Sequence, residues 1–311
     1  MQGISTPAEV PAITPFWQRM PHFFRYPLHV EPLFYMAMLS LATLLGFILP
    51  DLENQSYARL AKLLEAGARA QGFQLIITCS DDNPDTEMAL AEMLLARRID
   101  ALLVSSVLET DNRFYRDLQA KGVPIIAIDR AMDDEYFASV ISEDMQGAIR
   151  LTDSLLASQP QSIGLIGAVA DIAISQQREL GFRKAISYSA PQLIPQIQYG
   201  DHFSREVGAH LCAKWIKEGR VPQAILTTSY VLLEGVLDEL VQHPELLAVT
   251  RLATFGDNRL LDFLPIHVNA LSQQFPLIAE KALTLTLNAI TSQYKPGIHV
   301  VPRVLKVRAD N

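Results

Sequence analysis

Acidic, basic and hydroxyl side chains follow several short apolar runs of this sequence directly. Asp129 and Arg130 come after the run PIIAI, Asp257 and Asn258 after LATFG, and Ser229 closes AILTTS. A carboxylate accepts two hydroxyl hydrogen bonds, and a guanidinium binds a phosphate through two parallel N–H groups. These residue types therefore suit a binding site for a ligand that carries hydroxyls and a negative charge.

Each of these residues also has a purely structural interpretation. Asp129 could cap the turn after its strand while Arg130 is solvated, and Asp257 could cap the following segment RLLDFL. The position of the residues favours binding, because open α/β sheets bind ligands beyond the carboxyl ends of their strands. Polar residues at these ends are Asp51, Ser80, Asp81, Ser105, Asp129, Arg130, Ser229 and Asp257.

Motifs for covalent chemistry are missing from the sequence. The seven histidines form no HExxH pattern, and GLIGA at 164–168 is too poor in glycine for a dinucleotide-binding loop. Asp129 and Asp257 could imitate a general acid and base, but no nucleophile with its own base accompanies them. We therefore expect a binding protein without catalytic residues, metal or cofactor rather than an enzyme.

The elements that would position these residues alternate along the chain after residue 44. Strand LGFIL (45–49) precedes helix SYARLAKLLEAGARAQ, and strands FQLIITC, ALLVSS and PIIAI follow, each after a stretch of helical length. The pattern restarts with strand SIGLIGA (162–168) and ends with a single strand around HVVPRVLKV. This alternation predicts an α/β fold of two Rossmann-like lobes. We expect one lobe at 45–142 plus 275–297 and the other at 143–274 plus 298–311.

Composition limits the class of protein further. The chain has 311 residues, 49% of them hydrophobic, and a net charge of −8, so its surface as a whole is not built to hold nucleic acid. The cysteines Cys79 and Cys212 have no ligand or CxxC spacing. We expect two buried thiols in a reducing, cytoplasmic protein.

Residues 1–44 differ from the rest of the chain. Six prolines interrupt any helical period there, and no compact domain is predicted. The uncharged run from Pro32 to Pro50 has the length of a membrane span. Its second half, LGFILPDLEN, indicates a buried first strand instead, and basic flanks and a cleavage site are missing. The strand is the favoured interpretation, so we expect no membrane partner, and the span is the alternative.

Six segments in order give the sequence a family resemblance: LGFILPDLENQSYARLA, CSDDNPDTEMA, AIDRAMD, SQQRELGFRKA, AILTTSYVLLEGV and ATFGDNRLLDFL. From about Leu45 to about Val307 the chain resembles the effector-binding core of the lactose/galactose repressor family, and most closely its fructose-responsive branch. The resemblance implies a periplasmic-binding-protein-like fold (type I) and a bacterial transcription regulator of carbon metabolism from a repressor family, with repression and activation both open as its effect. It implies a sugar-phosphate effector such as fructose 1-phosphate or fructose 1,6-bisphosphate between the lobes.

The resemblance also implies site residues. Asp129 and Asp257 match the sugar-binding carboxylates, and Arg178 matches an arginine that reaches the ligand from a helix start. An exposed Arg178 paired with a nearby Glu is the alternative. The resemblance further places these residues along the cleft: Asp51, Tyr57, Ser105, Arg130, Asp144, Ser229, Gln273 and Phe275. Tyr57 and Phe275 could equally be core aromatics.

Family members act as homodimers or homotetramers that bind operator DNA through an N-terminal helix-turn-helix. Residues 1–44 contain only two arginines, Arg19 and Arg25, so this headpiece looks absent and operator DNA is a doubtful partner of this chain. Helices 84–97 and 230–241 are candidate dimer interfaces or, equally, core helices. A sugar-binding protein that does not act on DNA is the alternative function.

Overall fold

The computed structural model describes residues 44–108 and 111–308, and these fold into two six-stranded sheets with helices on both faces of each. The predictions for residues 1–43, including the headpiece and the first half of the apolar run, fall outside the described residues. With strands numbered in chain order, the first sheet has the strand order β11 (Gly297–Val301), β5 (Ala138–Ser142), β4 (Ile125–Ile128), β3 (Ala101–Val104), β1 (Leu44–Leu49) and β2 (Gln74–Cys79). The second has the order β12 (Val304–Lys306), β10 (Val268–Ser272), β9 (Arg251–Phe255), β8 (Ala224–Thr227), β6 (Ile163–Gly167) and β7 (Gln196–Tyr199). All pairings are parallel except that of β12 with β10.

The elements of the first half of the chain are, in order, β1 (Leu44–Leu49), α1 (Gln55–Ala70), β2 (Gln74–Cys79), α2 (Pro84–Ala96), β3 (Ala101–Val104), α3 (Arg113–Ala120), β4 (Ile125–Ile128), β5 (Ala138–Ser142), α4 (Asp144–Leu156) and β6 (Ile163–Gly167). Those of the second half are α5 (Ala173–Ser189), β7 (Gln196–Tyr199), α6 (Arg205–Lys217), β8 (Ala224–Thr227), α7 (Tyr230–Leu240), α8 (Pro244–Leu247), β9 (Arg251–Phe255), a 3₁₀ turn (Arg259–Phe263), β10 (Val268–Ser272), α9 (Phe275–Ile290), β11 (Gly297–Val301) and β12 (Val304–Lys306).

Central strands of both sheets are buried on both faces, which explains their uninterrupted apolar sequences. In β1, Phe47 points into the core shared with α1 and α9, whereas Ile48 points into the core shared with α2 and α3. The second sheet has the same construction, with α6 and α7 on one face and α4 and α5 on the other. The predicted two-lobed α/β fold is thus confirmed.

Local sequence signals set the starts of several helices. Asn54, Asn83, Ser204 and Ser229 each accept a hydrogen bond from a backbone N–H of the first turn that follows. Pro84 also occupies the first turn of α2, where its missing N–H costs nothing. The loops that carry polar residues therefore end at defined positions beside the sheets.

The chain crosses between the two sheets three times: at Ser142–Glu143, at Gln273–Gln274 and at Pro302–Arg303. The last crossing differs from the sequence prediction. Strand β11 pairs with β5 from Gly297 to Val301, so residues 298–301 belong to the first lobe and the predicted boundary at 297/298 is wrong. The expected single final strand is two strands in different sheets, because Pro302 interrupts the pairing.

The two thiols are both free, but they differ in burial. Cys212 is buried, as expected, whereas Cys79 is only partly buried. Cys79 ends β2, which is the edge strand of the first sheet, so one side of it has no neighbouring strand. The expectation of two buried thiols is therefore wrong for Cys79.

Residues 44–49 of the apolar run form β1, whose Leu45 and Leu49 are fully buried. The strand interpretation is correct for this part of the run. No helix in the described parts of the chain is long and apolar enough to cross a membrane.

Candidate functional site

Asp129 stands directly after β4, where it receives two side-chain hydrogen bonds. Its Oδ2 accepts a hydrogen bond of 2.9 Å from the Tyr57 hydroxyl, and its Oδ1 accepts one of 2.9 Å from Gln273 Nε2. Tyr57 belongs to α1 and Gln273 to the second crossing, so three distant parts of the chain converge on one carboxylate. Three of the predicted site residues therefore form one cluster.

The cluster extends to two serines. The Tyr57 hydroxyl lies 3.2 Å from Ser105 Oγ, and Gln273 Nε2 also donates to Ser142 Oγ at 2.9 Å. Burial and the neighbouring charge of Asp129 raise the pKa of Tyr57, so its phenol stays protonated and donates to the carboxylate. This arrangement of carboxylate, amide and hydroxyl groups can exchange hydrogen bonds with ligand hydroxyls. It favours the binding interpretation of Tyr57 over a purely core role.

A second cluster consists of Asp144, Arg178 and Arg303. Asp144 Oδ1 accepts hydrogen bonds from Arg178 Nε at 2.7 Å and from Arg303 Nη2 at 3.0 Å. The side chains of Asp144, Arg178 and Arg303 are 9%, 9% and 2% exposed. Two guanidinium charges thus share a single carboxylate oxygen in a site with little water. Arg178 is not the exposed, Glu-paired arginine of the alternative interpretation.

Phe255, the last residue of β9, makes cation–π contacts with both guanidinium groups. The Arg178 and Arg303 guanidinium carbons lie 4.4 and 5.3 Å from the ring centre, and Arg178 Nη1 donates to the Thr228 carbonyl at 2.6 Å. Burial lowers the pKa of the Arg303 guanidinium, and the Asp144 charge raises it again in part. The stacking orients the two planar cations, so their remaining N–H groups have fixed directions.

Three buried polar atoms of this region have no hydrogen-bond partner among the described residues: Arg303 Nε, Ser175 Oγ and Thr228 Oγ1. Buried polar groups normally have partners, because an unpartnered one costs about 1–3 kcal/mol. Ser175 lies one helical turn before Arg178 and therefore on the same face of α5. The second cluster thus has one buried N–H donor and two buried hydroxyls that the described residues leave without a partner.

Arg130 carries a third guanidinium at the end of β4. Its Nη1 lies 2.8 Å from Asp82 Oδ1, and its side chain is only 14% exposed. Asp82 reaches it from a turn after β2 in which Asp81 and Asp82 both have left-handed backbone angles, with φ of 54° and 53°. The alternative of a solvated Arg130 is therefore wrong.

Asp257 forms an ion pair with a residue outside the two clusters. Its Oδ1 lies 2.6 Å from Nη2 of the buried Arg308, which also donates to the Val268 carbonyl at 2.8 Å. The expected cap of the segment after Asp257 is supplied by Asn258, whose Oδ1 accepts from the Leu260 N–H. Asn258 also donates to Gln55 Oε1 at 3.1 Å and so links the two lobes.

The remaining predicted residues have mainly local partners. Ser229 caps α7 by accepting from the Leu232 N–H at 3.4 Å, and Asp51 is exposed and accepts from the Glu53 N–H at 2.8 Å. Phe275 begins α9, packs against the first-lobe core and lies below the Arg59 guanidinium. The structure does not bring these three residues to Asp129 or Asp144 by any hydrogen bond that it shows.

Sequence reasoning missed Arg303 and Glu87. One sequence feature points to Arg303: it is a basic residue that follows a proline within an apolar run. In the structure this position is a crossing between the lobes. Glu87 is fully buried and accepts hydrogen bonds from the Ser106 and Tyr115 hydroxyls, at 2.5 and 2.6 Å, and from the Val107 N–H. It thereby fixes the loop that contains Ser105, a role that no local pattern indicates.

Two cavities of about 340 and 270 Å³ lie elsewhere, one between α4 and α5 and one between α9 and β11. Neither is lined by a residue of the two clusters, so they do not mark the candidate site. The described residues also contain no group of three His, Cys, Asp or Glu side chains that could hold a metal ion.

Two α/β lobes, three crossings and polar clusters at the strand ends define a two-lobed ligand-binding core. The family model described as "Periplasmic binding proteins and sugar binding domain of LacI family" matches residues 42–232. The chain therefore belongs to this family.

Named relatives agree with this assignment. The chain is 54% identical over 263 residues to the fructose operon regulatory protein of Vibrio cholerae, covering 85% of this chain and 80% of that protein. It is 39% identical to the catabolite repressor/activator of Escherichia coli K12, covering 81% and 75%. Among solved structures it resembles the Cra transcriptional dual regulator of Pseudomonas putida in complex with fructose 1-phosphate, with 49% identity, a TM-score of 0.81 and coverage of 86% and 100%.

Proposed function

We propose that this chain is the effector-binding core of a transcription regulator and that it binds a phosphorylated ketose, with fructose 1-phosphate as the first choice. The phosphate binds the buried guanidinium groups of Arg178 and Arg303, with Arg130 as a third cation. The sugar hydroxyls exchange hydrogen bonds with Asp129, Gln273 and their hydroxyl neighbours.

One observation carries the proposal: Arg178 and Arg303 donate to the same oxygen of Asp144. Within the second cluster two guanidinium groups face one carboxylate among side chains that are at most 9% exposed, and the second carboxylate whose charge acts on Arg303 is Asp129 of the first cluster. A phosphate ester would add negative charge beside the two guanidinium groups, and its oxygens accept from guanidinium N–H groups in the geometry that such groups prefer. The Arg303 Nε is buried and has no hydrogen-bond partner among the described residues, so this arrangement leaves one guanidinium donor unused.

The relatives support the same ligand class. The P. putida structure is a complex with fructose 1-phosphate, and the V. cholerae relative is named for the fructose operon. Both relatives match more than four fifths of this chain, at 54% and 49% identity.

The mechanism follows from the position of Arg303 at the third crossing. A ligand that binds both Arg303 and the Asp129 cluster contacts the crossing between the lobes and the strand end of the first lobe. Such a ligand stabilises one relative arrangement of the lobes and shifts the population toward it. In a regulator this shift changes the affinity of the attached DNA module for its operator.

The test is isothermal titration of the purified chain with fructose 1-phosphate and with fructose, each repeated on Arg303→Ala. We expect binding of the phosphate ester, at least tenfold weaker binding of fructose, and a loss of roughly 100-fold in affinity for the phosphate ester in the variant. Equal affinities for fructose and fructose 1-phosphate, or an unchanged affinity in Arg303→Ala, would reject the phosphate site.

Self-association is the second part of the proposal. Leu260 and Phe263 of the 3₁₀ turn are 63% and 70% exposed, and Val241 and Val249, after α7 and α8, are exposed as well. Large exposed apolar residues on consecutive segments of one lobe are typical of an interface. We propose that this surface, together with α2 and α7, forms a homodimer.

Sedimentation of the chain and of two variants tests the dimer. Phe263→Asp should convert the dimer to a monomer, because it places a charge within the apolar surface. Ile194→Asp is the control, since Ile194 is also an exposed apolar residue, 87% exposed against 70% for Phe263, but lies before β7. A monomeric native chain, or a dimer that both substitutions leave intact, contradicts this assignment.

A further inference from the structure

Strand pairing does not hold the two residues of the third crossing. Pro302 and Arg303 belong neither to β11 nor to β12, and Pro302 has no backbone N–H to donate. Their positions therefore depend on side chains from elsewhere. Gln274 Nε2 donates to the Pro302 carbonyl at 2.9 Å, and Arg150 Nη2 donates to the Arg303 carbonyl at 3.1 Å.

Arg150 contacts two crossings with one nitrogen atom. Besides the Arg303 carbonyl, Nη2 donates to Glu143 Oε2 at 2.9 Å. Glu143 is the residue of the first crossing, and its own N–H donates to the Val301 carbonyl at 3.0 Å. Since Arg150 lies seven residues after Glu143, about two helical turns, both side chains stand on the same face at the start of α4.

Helix α4 thus holds Arg303 through two contacts, one with its side chain and one with its backbone. Its guanidinium binds Asp144, the first residue of the helix, and its carbonyl binds Arg150 in the second turn. The backbone contact fixes the point from which the guanidinium extends, and the side-chain contact fixes its direction. Loss of either contact leaves the cation free to move relative to Arg178.

We propose that Arg150 is a positioning residue for the phosphate site: it does not touch the ligand but fixes the backbone of Arg303 to the first crossing. The role in binding rests on the proposed function, whereas the effect on the crossing does not. The Arg150–Glu143 ion pair alone is partly exposed, with an Arg150 side chain that is 40% exposed, and such pairs contribute little to stability. The bond to the Arg303 carbonyl is the part that affects the site.

Two measurements on Arg150→Met, Arg150→Lys and the control Arg69→Met test this role. Methionine keeps much of the length of the arginine side chain but has no hydrogen-bond donor. Lysine has three N–H donors, which can reach both Glu143 and the Arg303 carbonyl. Arg69 is an exposed residue of α1 whose ion pair with Glu65 lies away from the crossings. The measurements are titration with fructose 1-phosphate and, without ligand, hydrogen exchange of the peptide spanning residues 299–306.

We expect Arg150→Met to weaken binding by roughly tenfold and to speed exchange of the 299–306 peptide by a similar factor. Arg150→Lys should restore both to within about threefold of the native chain, and Arg69→Met should change neither. A cooperative thermal transition in each variant establishes that it is folded.

The outcomes separate the two proposals. If the native chain binds fructose 1-phosphate and Arg150→Met changes neither affinity nor exchange, the positioning role is overturned while the sensor stands. A lowered melting temperature with unchanged affinity and exchange overturns it too, because Arg150 is then only structural. If the native chain does not bind and exchange still rises in Arg150→Met, the ligand is wrong and the effect on the crossing stands.

Discussion

The Tyr57 hydroxyl donates to Asp129 Oδ2 across 2.9 Å, although 72 residues separate the two in sequence. Asp129 has a left-handed backbone with φ of 68°, which few residues with a side chain adopt. Such a conformation persists only where surrounding contacts hold it. Tyr57, Gln273 and the bond from the Asp129 N–H to the Val140 carbonyl supply these contacts. The carboxylate is therefore oriented before any ligand reaches it.

Removal of the Tyr57 hydroxyl should destabilise the protein. Tyr57→Phe takes one hydrogen bond from a partly buried carboxylate, so we expect the free energy of unfolding in urea to fall by about 1 kcal/mol. Tyr188→Phe is the control, because Tyr188 is 92% exposed. Equal stability of Tyr57→Phe and the native chain would show that the bond contributes nothing net.

Replacement of Arg178 by lysine should weaken effector binding despite the retained charge. Arg178 donates simultaneously to Asp144 and to the Thr228 carbonyl and stacks on Phe255, and an ammonium group cannot reproduce this planar arrangement. Titration with fructose 1-phosphate should give roughly 10- to 100-fold lower affinity. Arg183→Lys, one to two turns further along α5 in an exposed pair with Glu179, should bind like the native chain. An Arg178→Lys variant with native affinity contradicts the guanidinium site.

Effector affinity should fall at acidic pH because of the phosphate itself. A phosphate monoester has a second pKa near ~6, below which it carries one charge instead of about two, whereas arginines keep their charge. Below this pH the affinity for fructose 1-phosphate should fall, by up to about tenfold per pH unit if only the dianion binds. Fructose 1-sulfate, singly charged throughout, is the control ligand. A pH profile that is the same for both esters argues against recognition of the dianion.

Much of the fold was predictable because its signals are local. The apolar run Leu45–Leu49 is a strand buried on both faces, and Asn54 and Asn83 cap the helices that follow the first two strands. Strand β5 (Ala138–Ser142) was missed, since a run of five residues of which two are serines carries little strand signal. The ends of the predicted strands were accurate enough to place Asp129 and Arg130 directly after β4.

The site was only partly predictable. Asp129, Tyr57, Ser105 and Gln273 meet as the strand-end argument and the family resemblance imply, and Arg178 meets Asp144. Arg303 was not found, because its importance comes from a crossing whose position the sequence placed four residues too early. Asp257 was expected at the ligand, yet its visible partner is Arg308, a residue of the last segment.

The sequence by itself determined the alternation of helices and strands, the double-sided burial of the strands and the presence of polar residues at their ends. These depend on near neighbours along the chain and on the periods of helix and strand. Only the tertiary structure decided that Arg303 and Asp144, 159 residues apart, share a hydrogen bond and that Arg150 connects two crossings. Such partners depend on strand order and on where the chain passes between the lobes, which are properties of the packed molecule and leave no local pattern.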